Sequence, residues 1–191
     1  MLRVLLIDDD RIRREALGES LRAHGHDVDA HDTISMELME QLETIAPDVI
    51  VIDTDSPDRD MLEHLAVMSR DAPRPVVLFT DDEDADKMRQ AHRAGVMSYV
   101  VGSVAAERIK AILQVAVTRF EEHQALRQEL ESAKTELASR KLIERAKGVV
   151  MKHKGVHEDE AYRLLREMAM TRQMKLVDVA RQVIDMSSMF S

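Results

Sequence analysis

Carboxylates follow two apolar segments of the chain, at positions where chemistry could take place. Asp8 and Asp9 come directly after the run Val4–Ile7. Asp53 directly follows the run Val49–Ile52. Carboxylates that converge raise each other's pKa unless a cation lies among them, and Mg²⁺ accepts such ligands. We therefore expect Asp8, Asp9 and Asp53 to suit a Mg²⁺ ion, with Asp53 as the candidate phospho-acceptor. We expect that the protein does not require a cofactor.

The elements that must position these carboxylates are the strands of a parallel sheet. Residues 1–120 alternate short apolar runs with helical patterns, which is typical of a doubly wound α/β domain. Functional residues of such sheets gather at the carboxyl ends of the strands, and the first and third strands are neighbours. Helices are expected near 11–24, 35–45, 59–70 and 84–94. The five expected strands are Val4–Ile7, Val28–Ala30, Val49–Ile52, Val76–Phe79 and Tyr99–Val101.

A long helical pattern without proline follows the predicted sheet. Within residues 121–137, Leu126, Leu130, Ala133 and Leu137 recur at spacings of four, three and four. This spacing is typical of a coiled-coil seam. A single solvated helix is the alternative, but an apolar stripe so far beyond the sheet has little else to cover it. We therefore favour a homodimer formed through this linker helix.

Residues 138–191 form a second predicted domain with the opposite charge. Three amphipathic stripes predict a small three-helix module. The segment contains eleven Lys and Arg against seven Asp and Glu, whereas the whole chain has a net charge of −9. A basic module on an acidic body favours a polyanionic partner.

The basic residues of this module concentrate on its first two helices. We expect them to face solvent or phosphate, while the apolar stripe faces inward. Tyr162 could stack on an unpaired RNA base or pack inside the bundle, and the sequence leaves both open. The candidate RNA-binding residues are Arg140, Lys141, Arg145, Lys147, Lys152, Lys154, Tyr162 and Arg166.

The composition excludes several other classes of protein. There is no cysteine, which rules out disulfides and thiolate zinc sites. The N-terminal apolar run is followed by aspartates after a few residues, so we expect neither a signal peptide nor a membrane span. We therefore expect a cytoplasmic location. No motif indicates a turnover enzyme.

The first 120 residues resemble the receiver domain of two-component response regulators. Asp8 and Asp9 match its acidic pair, and Asp53, four residues before Pro57, matches its phospho-acceptor. The resemblance also implies that Thr80 and Tyr99 are its switch residues. One departure is Gly102, which stands where receivers carry a lysine. A receiver that signals without phosphorylation is therefore favoured, while the intact acidic residues keep phosphorylation open.

The C-terminal segment resembles the ANTAR module, an RNA-binding domain of transcription antiterminators. The similarity covers residues 139–151, 158–166 and 175–180. The whole plan resembles the AmiR/NasT group, and residues 53–60 and 74–81 are most similar to its NasT-type regulators of nitrate and nitrite assimilation. The resemblance implies binding to hairpins of a leader transcript, which prevents termination. It also implies control by a ligand-sensing partner of the periplasmic-binding-protein type.

Two other functions stay open at this point. A phosphorylation-controlled DNA-binding response regulator would need a basic recognition helix, but the last helix offers only Lys175 and Arg181. A phosphotransfer or scaffold protein would use the tail only to assemble partners.

Overall fold

The computed structural model describes residues 1–102, 104 and 106–189. Five parallel strands form one sheet in the order β2-β1-β3-β4-β5, which confirms the predicted doubly wound fold. The strands are β1 (Arg3–Asp8), β2 (Asp27–His31), β3 (Val49–Asp53), β4 (Val76–Thr80) and β5 (Val96–Val101).

Seven helices accompany the strands in the described part of the chain. The first four each begin at a side chain that accepts a backbone N–H, namely Asp10, Ser35, Asp58 and Asp84. Such caps satisfy donors that the first helical turn leaves free. The helices are α1 (Arg11–Ala23), α2 (Met36–Ile45), α3 (Arg59–Asp71), α4 (Ala85–Arg93), α5 (Ala106–Lys154), α6 (Glu158–Arg172) and α7 (Leu176–Met189).

The central strands are buried on both faces because their residues alternate between two apolar clusters. One cluster joins Leu5, Ile7, Ile50, Ile52 and Leu78 to α2 and α3. The other joins Val4, Leu6, Val51, Val77 and Phe79 to α1 and the beginning of α5. With both faces covered, the carboxyl ends of the strands are left for function.

The fifth strand begins earlier than predicted. It starts at Val96, so Tyr99 lies inside β5 and does not open it. The cause is Gly95, whose φ of 105° turns the chain immediately after α4. A Cβ at this position would overlap the side chain of Ser69. The strand can therefore begin at the next residue, a position that the apolar pattern alone did not mark.

The linker and the first helix of the C-terminal module are one helix, whereas the sequence suggested separate ones. Helix α5 is 49 residues long, and Gly148 does not interrupt it. It ends where Gly155 adopts a φ of 65°, the left-handed conformation that commonly stops helices. The chain divides into two compact units, Met1–Gln124 and Ala125–Ser191, compared with predicted boundaries at 120 and 138.

The second unit has a core of its own. Ala146 and Val150 of α5 pack with Ala161 and Leu165 of α6 and with residues of α7 such as Val179. These residues recur at helical spacing, so each helix buries one stripe and exposes the other face. None of the helices in the described residues is long and apolar enough to cross a membrane.

Candidate functional site

The register of the sheet brings two of the predicted acidic residues together. Asp8 pairs with Asp53 across β1 and β3, as the sequence predicted for neighbouring strands. Asp8 is 1% exposed, whereas the side chain of Asp9 is largely exposed. Asp53 is half-buried at the end of its strand. The pocket beside Asp53 also contains Thr80 and Gly102.

An arginine that the sequence analysis missed lies among these carboxylates. Arg13 Nε donates to Asp8 Oδ2 at 2.9 Å, and its Nη2 donates to Asp8 Oδ1 at 2.9 Å. The same guanidinium lies 3.6 Å from Asp53 Oδ1 and forms ion pairs with Asp9 and Asp55. Arg13 therefore supplies a cation to the pocket, which lacks the lysine that receivers carry at the position of Gly102.

The position of Arg13 follows from the way α1 begins. Asp10 accepts the backbone N–H groups of Ile12 and Arg13 at 2.8 and 3.0 Å, which fixes the first turn of the helix. A residue on that turn lies close to the strand ends. The signal that could have revealed Arg13 was therefore the third aspartate, acting as a cap, with an arginine three residues later.

Burial and neighbouring charges compete at Asp53. Burial raises the pKa of its carboxyl to about 6, and the charge of Asp8 adds to this effect, while Arg13 opposes it. The pKa of Arg13 is itself raised, mainly by its hydrogen bond to Asp8. The guanidinium therefore stays charged and offsets part of the negative charge of the four carboxylates around it.

The predicted Mg²⁺ site does not fit this arrangement. Both oxygens of Asp8 are engaged, Oδ1 by Arg13 and the Asp10 N–H and Oδ2 by Arg13. Among the described residues, no three Asp, Glu, His or Cys side chains are grouped to hold a metal ion. A cation entering here would have to displace the guanidinium, which already pairs with the carboxylates that would bind it.

The two predicted switch residues make hydrogen bonds to the loops after β3 and β4. Thr80 is buried, and its hydroxyl donates to the carbonyl of Asp55 at 2.9 Å. The Tyr99 hydroxyl donates to the carbonyl of Asp82 at 3.0 Å. Burial raises the pKa of Tyr99, so the phenol remains protonated at neutral pH.

Lys87 ties the same two loops together. Its Nζ donates to Ser56 Oγ at 2.6 Å and to Asp82 Oδ2 at 2.7 Å. The hydrogen bond from Lys87, with a second from Ser56, lowers the pKa of Asp82 to about 2. Lys87 therefore holds the two loops together. Among the described residues that line the pocket beside Asp53, Arg13 is the one cation.

In the second unit, exposed cations occupy one face of α5. Lys141, Arg145 and Lys152 are exposed and lie at spacings of four and seven, so they share this face with Gly148. We call these four residues the basic face. None of its three cations forms an ion pair with another residue in the described part of the chain. Arg140 and Lys154 are also exposed, as predicted.

Lys147 does not face solvent, contrary to the prediction. It is 8% exposed, and its Nζ lies 2.6 Å from Glu158 Oε1 and 2.9 Å from Glu144 Oε1. These hydrogen bonds raise its pKa and lower that of Glu158. Because Glu158 opens α6, Lys147 joins two helices of the module and is not free to bind phosphate.

Tyr162 is exposed, so the alternative in which it packs inside the bundle is wrong. Its exposed fraction is 42%, and it lies on α6 one turn before the exposed Arg166. An exposed aromatic ring beside an arginine can stack on an unpaired base.

The fold and these sites define a two-part regulator, a receiver fold whose acidic pocket contains an arginine and a helical module with a basic face. Comparison with known families agrees. The response regulator receiver domain matches residues 4–114, and the ANTAR domain matches residues 131–184. The chain belongs to the response regulator receiver family, as a receiver–ANTAR regulator of the AmiR/NasT type. Proteins with this pair of domains are regulators and not enzymes.

Relatives match either nearly the whole chain or a part of it. The transcriptional regulatory protein PdtaR of Mycobacterium tuberculosis is 30% identical over 183 residues, which is 96% of this chain and 89% of PdtaR. The nitrate regulatory protein of Klebsiella oxytoca is 35% identical over 88 residues, which is 46% of this chain and 22% of that protein.

Solved structures agree with the receiver fold. The receiver domain of a modulated diguanylate cyclase from Desulfovibrio desulfuricans has a TM-score of 0.56 and 21% identity, and covers 64% of this chain and 98% of its own. A CheY-like receiver from Methanospirillum hungatei has a TM-score of 0.55 and 19% identity. The match covers 63% of this chain and 97% of that receiver.

Proposed function

We propose that this protein is an antiterminator that binds hairpins in a leader transcript, so that a terminator hairpin cannot form. The observation that carries the proposal is the basic face, whose three cations have no ion-pair partner within the described residues. Each cation that contacts a phosphate releases counterions, which favours binding at low salt. Tyr162 and Arg166 on α6 supply groups that stack on unpaired bases of a hairpin loop.

The regulated genes are those of nitrate or nitrite assimilation. The support for this target is the similarity to the Klebsiella oxytoca nitrate regulatory protein. The protein would meet its leader transcript in the cytoplasm, during transcription.

Control comes from a ligand-sensing partner protein of the periplasmic-binding-protein type. Two features support a signal other than phosphorylation at Asp53. Arg13 already pairs with the acidic pocket, and Gly102 stands where receivers carry a lysine. A partner that binds the receiver would then release or withhold the RNA-binding module.

The alternative is a DNA-binding response regulator, and a direct comparison separates the two. Helix α7 carries Arg181 as its one cation in the described residues, which is a poor recognition helix for a major groove. Affinities of the full chain for leader-type hairpin RNA and for promoter duplex should be measured at the same salt. Preference for the hairpin supports antitermination, and preference for the duplex overturns it.

A second copy of the chain is proposed to cover the apolar stripe of α5. Leu126, Leu130 and Leu137 are 65%, 54% and 54% exposed, which is unusual for leucines at coiled-coil spacing. A dimer would present two basic faces to two hairpins of one transcript and gain affinity through effective concentration.

Replacing Leu126, Leu130 and Leu137 together by asparagine should convert the dimer into a monomer. Each buried leucine contributes about 2 kcal/mol, so the dimer should weaken by at least about a thousandfold. Sedimentation equilibrium measures the change. The control variant, Gln128→Asn with Ser132→Asn and Thr135→Asn, alters the other side of the helix and should remain dimeric. A wild-type protein that is monomeric at micromolar concentration would contradict the proposal.

A further inference from the structure

Gly148 lies in the interior of a helix, where glycine is costly. An interior glycine lowers helix stability relative to alanine because it loses more backbone freedom on folding. Gly148 is exposed on α5, three residues after Arg145 and four before Lys152. Its place in the middle of the basic face calls for an explanation.

The fold of the chain itself provides no reason for this glycine. Gly148 does not adopt a positive φ, unlike Gly95 and Gly155. A Cβ added at Gly148 would meet no atom within 4 Å, whereas one at Gly95 would overlap Ser69. An alanine could therefore replace Gly148 without strain and would be expected to stabilise the helix.

We propose that Gly148 is a contact point for RNA, where the sugar–phosphate backbone lies directly against the backbone of α5. The inference rests on the proposed function and names the part of the module that does the binding. Lys141 and Arg145 would hold phosphates on one side of the crossing, and Lys152 on the other. The cations span about 16 Å of helix at 1.5 Å per residue.

The charges of the neighbouring residues favour RNA over a second protein helix as the occupant. A second copy of α5 packed in parallel on Gly148 would bring Arg145 and Lys152 against their own counterparts, so that like charges would be buried together. The nearby Glu144 lies 2.9 Å from Lys147 Nζ, and this ion pair reduces its repulsion of a phosphate. A nucleic-acid backbone instead supplies the negative charges that these residues lack.

The test compares Gly148→Ala and Gly148→Leu in the full-length protein. The probe is a two-hairpin RNA enriched from a random-loop library by the wild-type protein. We expect affinity to fall about tenfold for Gly148→Ala and about a hundredfold or more for Gly148→Leu. The melting temperature of Gly148→Ala should rise. The salt dependence of the residual binding should be unchanged, because all three cations remain.

Ser132→Ala is the matched control, because it improves helix propensity on α5 outside the basic face. It should raise the melting temperature and leave RNA affinity unaltered. If both Gly148 variants bind like wild type, the inference is wrong and the proposed function stands. If the wild type enriches no hairpin RNA, both fail together. A lower melting temperature in Gly148→Ala would also overturn the inference, since the loss would then be one of folding.

Discussion

Replacing Lys141, Arg145 and Lys152 together by glutamine should lower the affinity for hairpin RNA about a thousandfold at moderate salt. Each of these cations is exposed on one face of α5, where it can donate to phosphate oxygens. A hydrogen bond to a charged group contributes about 1.5 kcal/mol, so three lost contacts account for the expected change. The slope of log affinity against log salt should also fall by about 2, since three counterion-releasing contacts disappear. Fluorescence anisotropy with a labelled hairpin, repeated over a salt series, measures both quantities.

A charge-matched variant separates local contact from general attraction. Arg11, Arg59 and Arg89 are exposed cations of the receiver whose partners are carboxylates on their own helices. Replacing these three by glutamine changes the net charge equally but should alter RNA affinity by no more than about threefold. Equal losses in the two triple variants would show that overall charge, and not the basic face, determines binding.

Replacing Arg13 by alanine should lower the free energy of unfolding of the receiver by about 3–5 kcal/mol. The change removes the bidentate partner of Asp8, whose side chain is fully buried, and leaves that carboxylate with the Asp10 N–H. It also removes the cation that opposes the high pKa of Asp53. Urea denaturation followed by circular dichroism measures the loss. Arg11→Ala, which removes an exposed ion pair with Glu15, should cost no more than about 0.5 kcal/mol.

Magnesium gives this prediction a second readout. If Arg13 takes the place of a bound cation, millimolar Mg²⁺ should leave the melting temperature of the wild type unchanged. In Arg13→Ala the same Mg²⁺ should restore part of the lost stability, because the freed carboxylates can accept the ion. A wild type that Mg²⁺ stabilises as much as the variant would contradict the displacement of metal by Arg13.

The parts of the fold that follow from local pattern were predictable. The runs at β1, β3 and β4 are apolar throughout because both faces of these strands are covered. Adjacent parallel strands then bring Asp8 beside Asp53 without any knowledge of side-chain contacts. The helical period likewise predicts that the residues of the basic face lie on one side of α5. Lys147 is the exception, because it is buried.

The remaining features depend on partners that are distant in sequence or on competing roles for one residue type. The sequence alone assigned Asp8 and Asp9 to a metal, and gave no role to Asp10, which caps α1 and directs Arg13 into the pocket. The spacing of Lys147 groups it with the other cations of α5, but it forms an ion pair with Glu158 of the next helix. Tyr162 could pack or face solvent with equal plausibility, since its surroundings depend on how the three helices of the module pack.

The most direct test of the central claim is the RNA that the protein holds in the cell. Wild type and the triple variant of Lys141, Arg145 and Lys152 should be crosslinked, purified under denaturing conditions, and their bound nucleic acid sequenced. We predict that the wild type enriches leader segments with paired hairpins that overlap a terminator, and that the triple variant does not. Equal recovery of these segments with both proteins, or enrichment of duplex DNA alone, would contradict the assignment of this module to RNA.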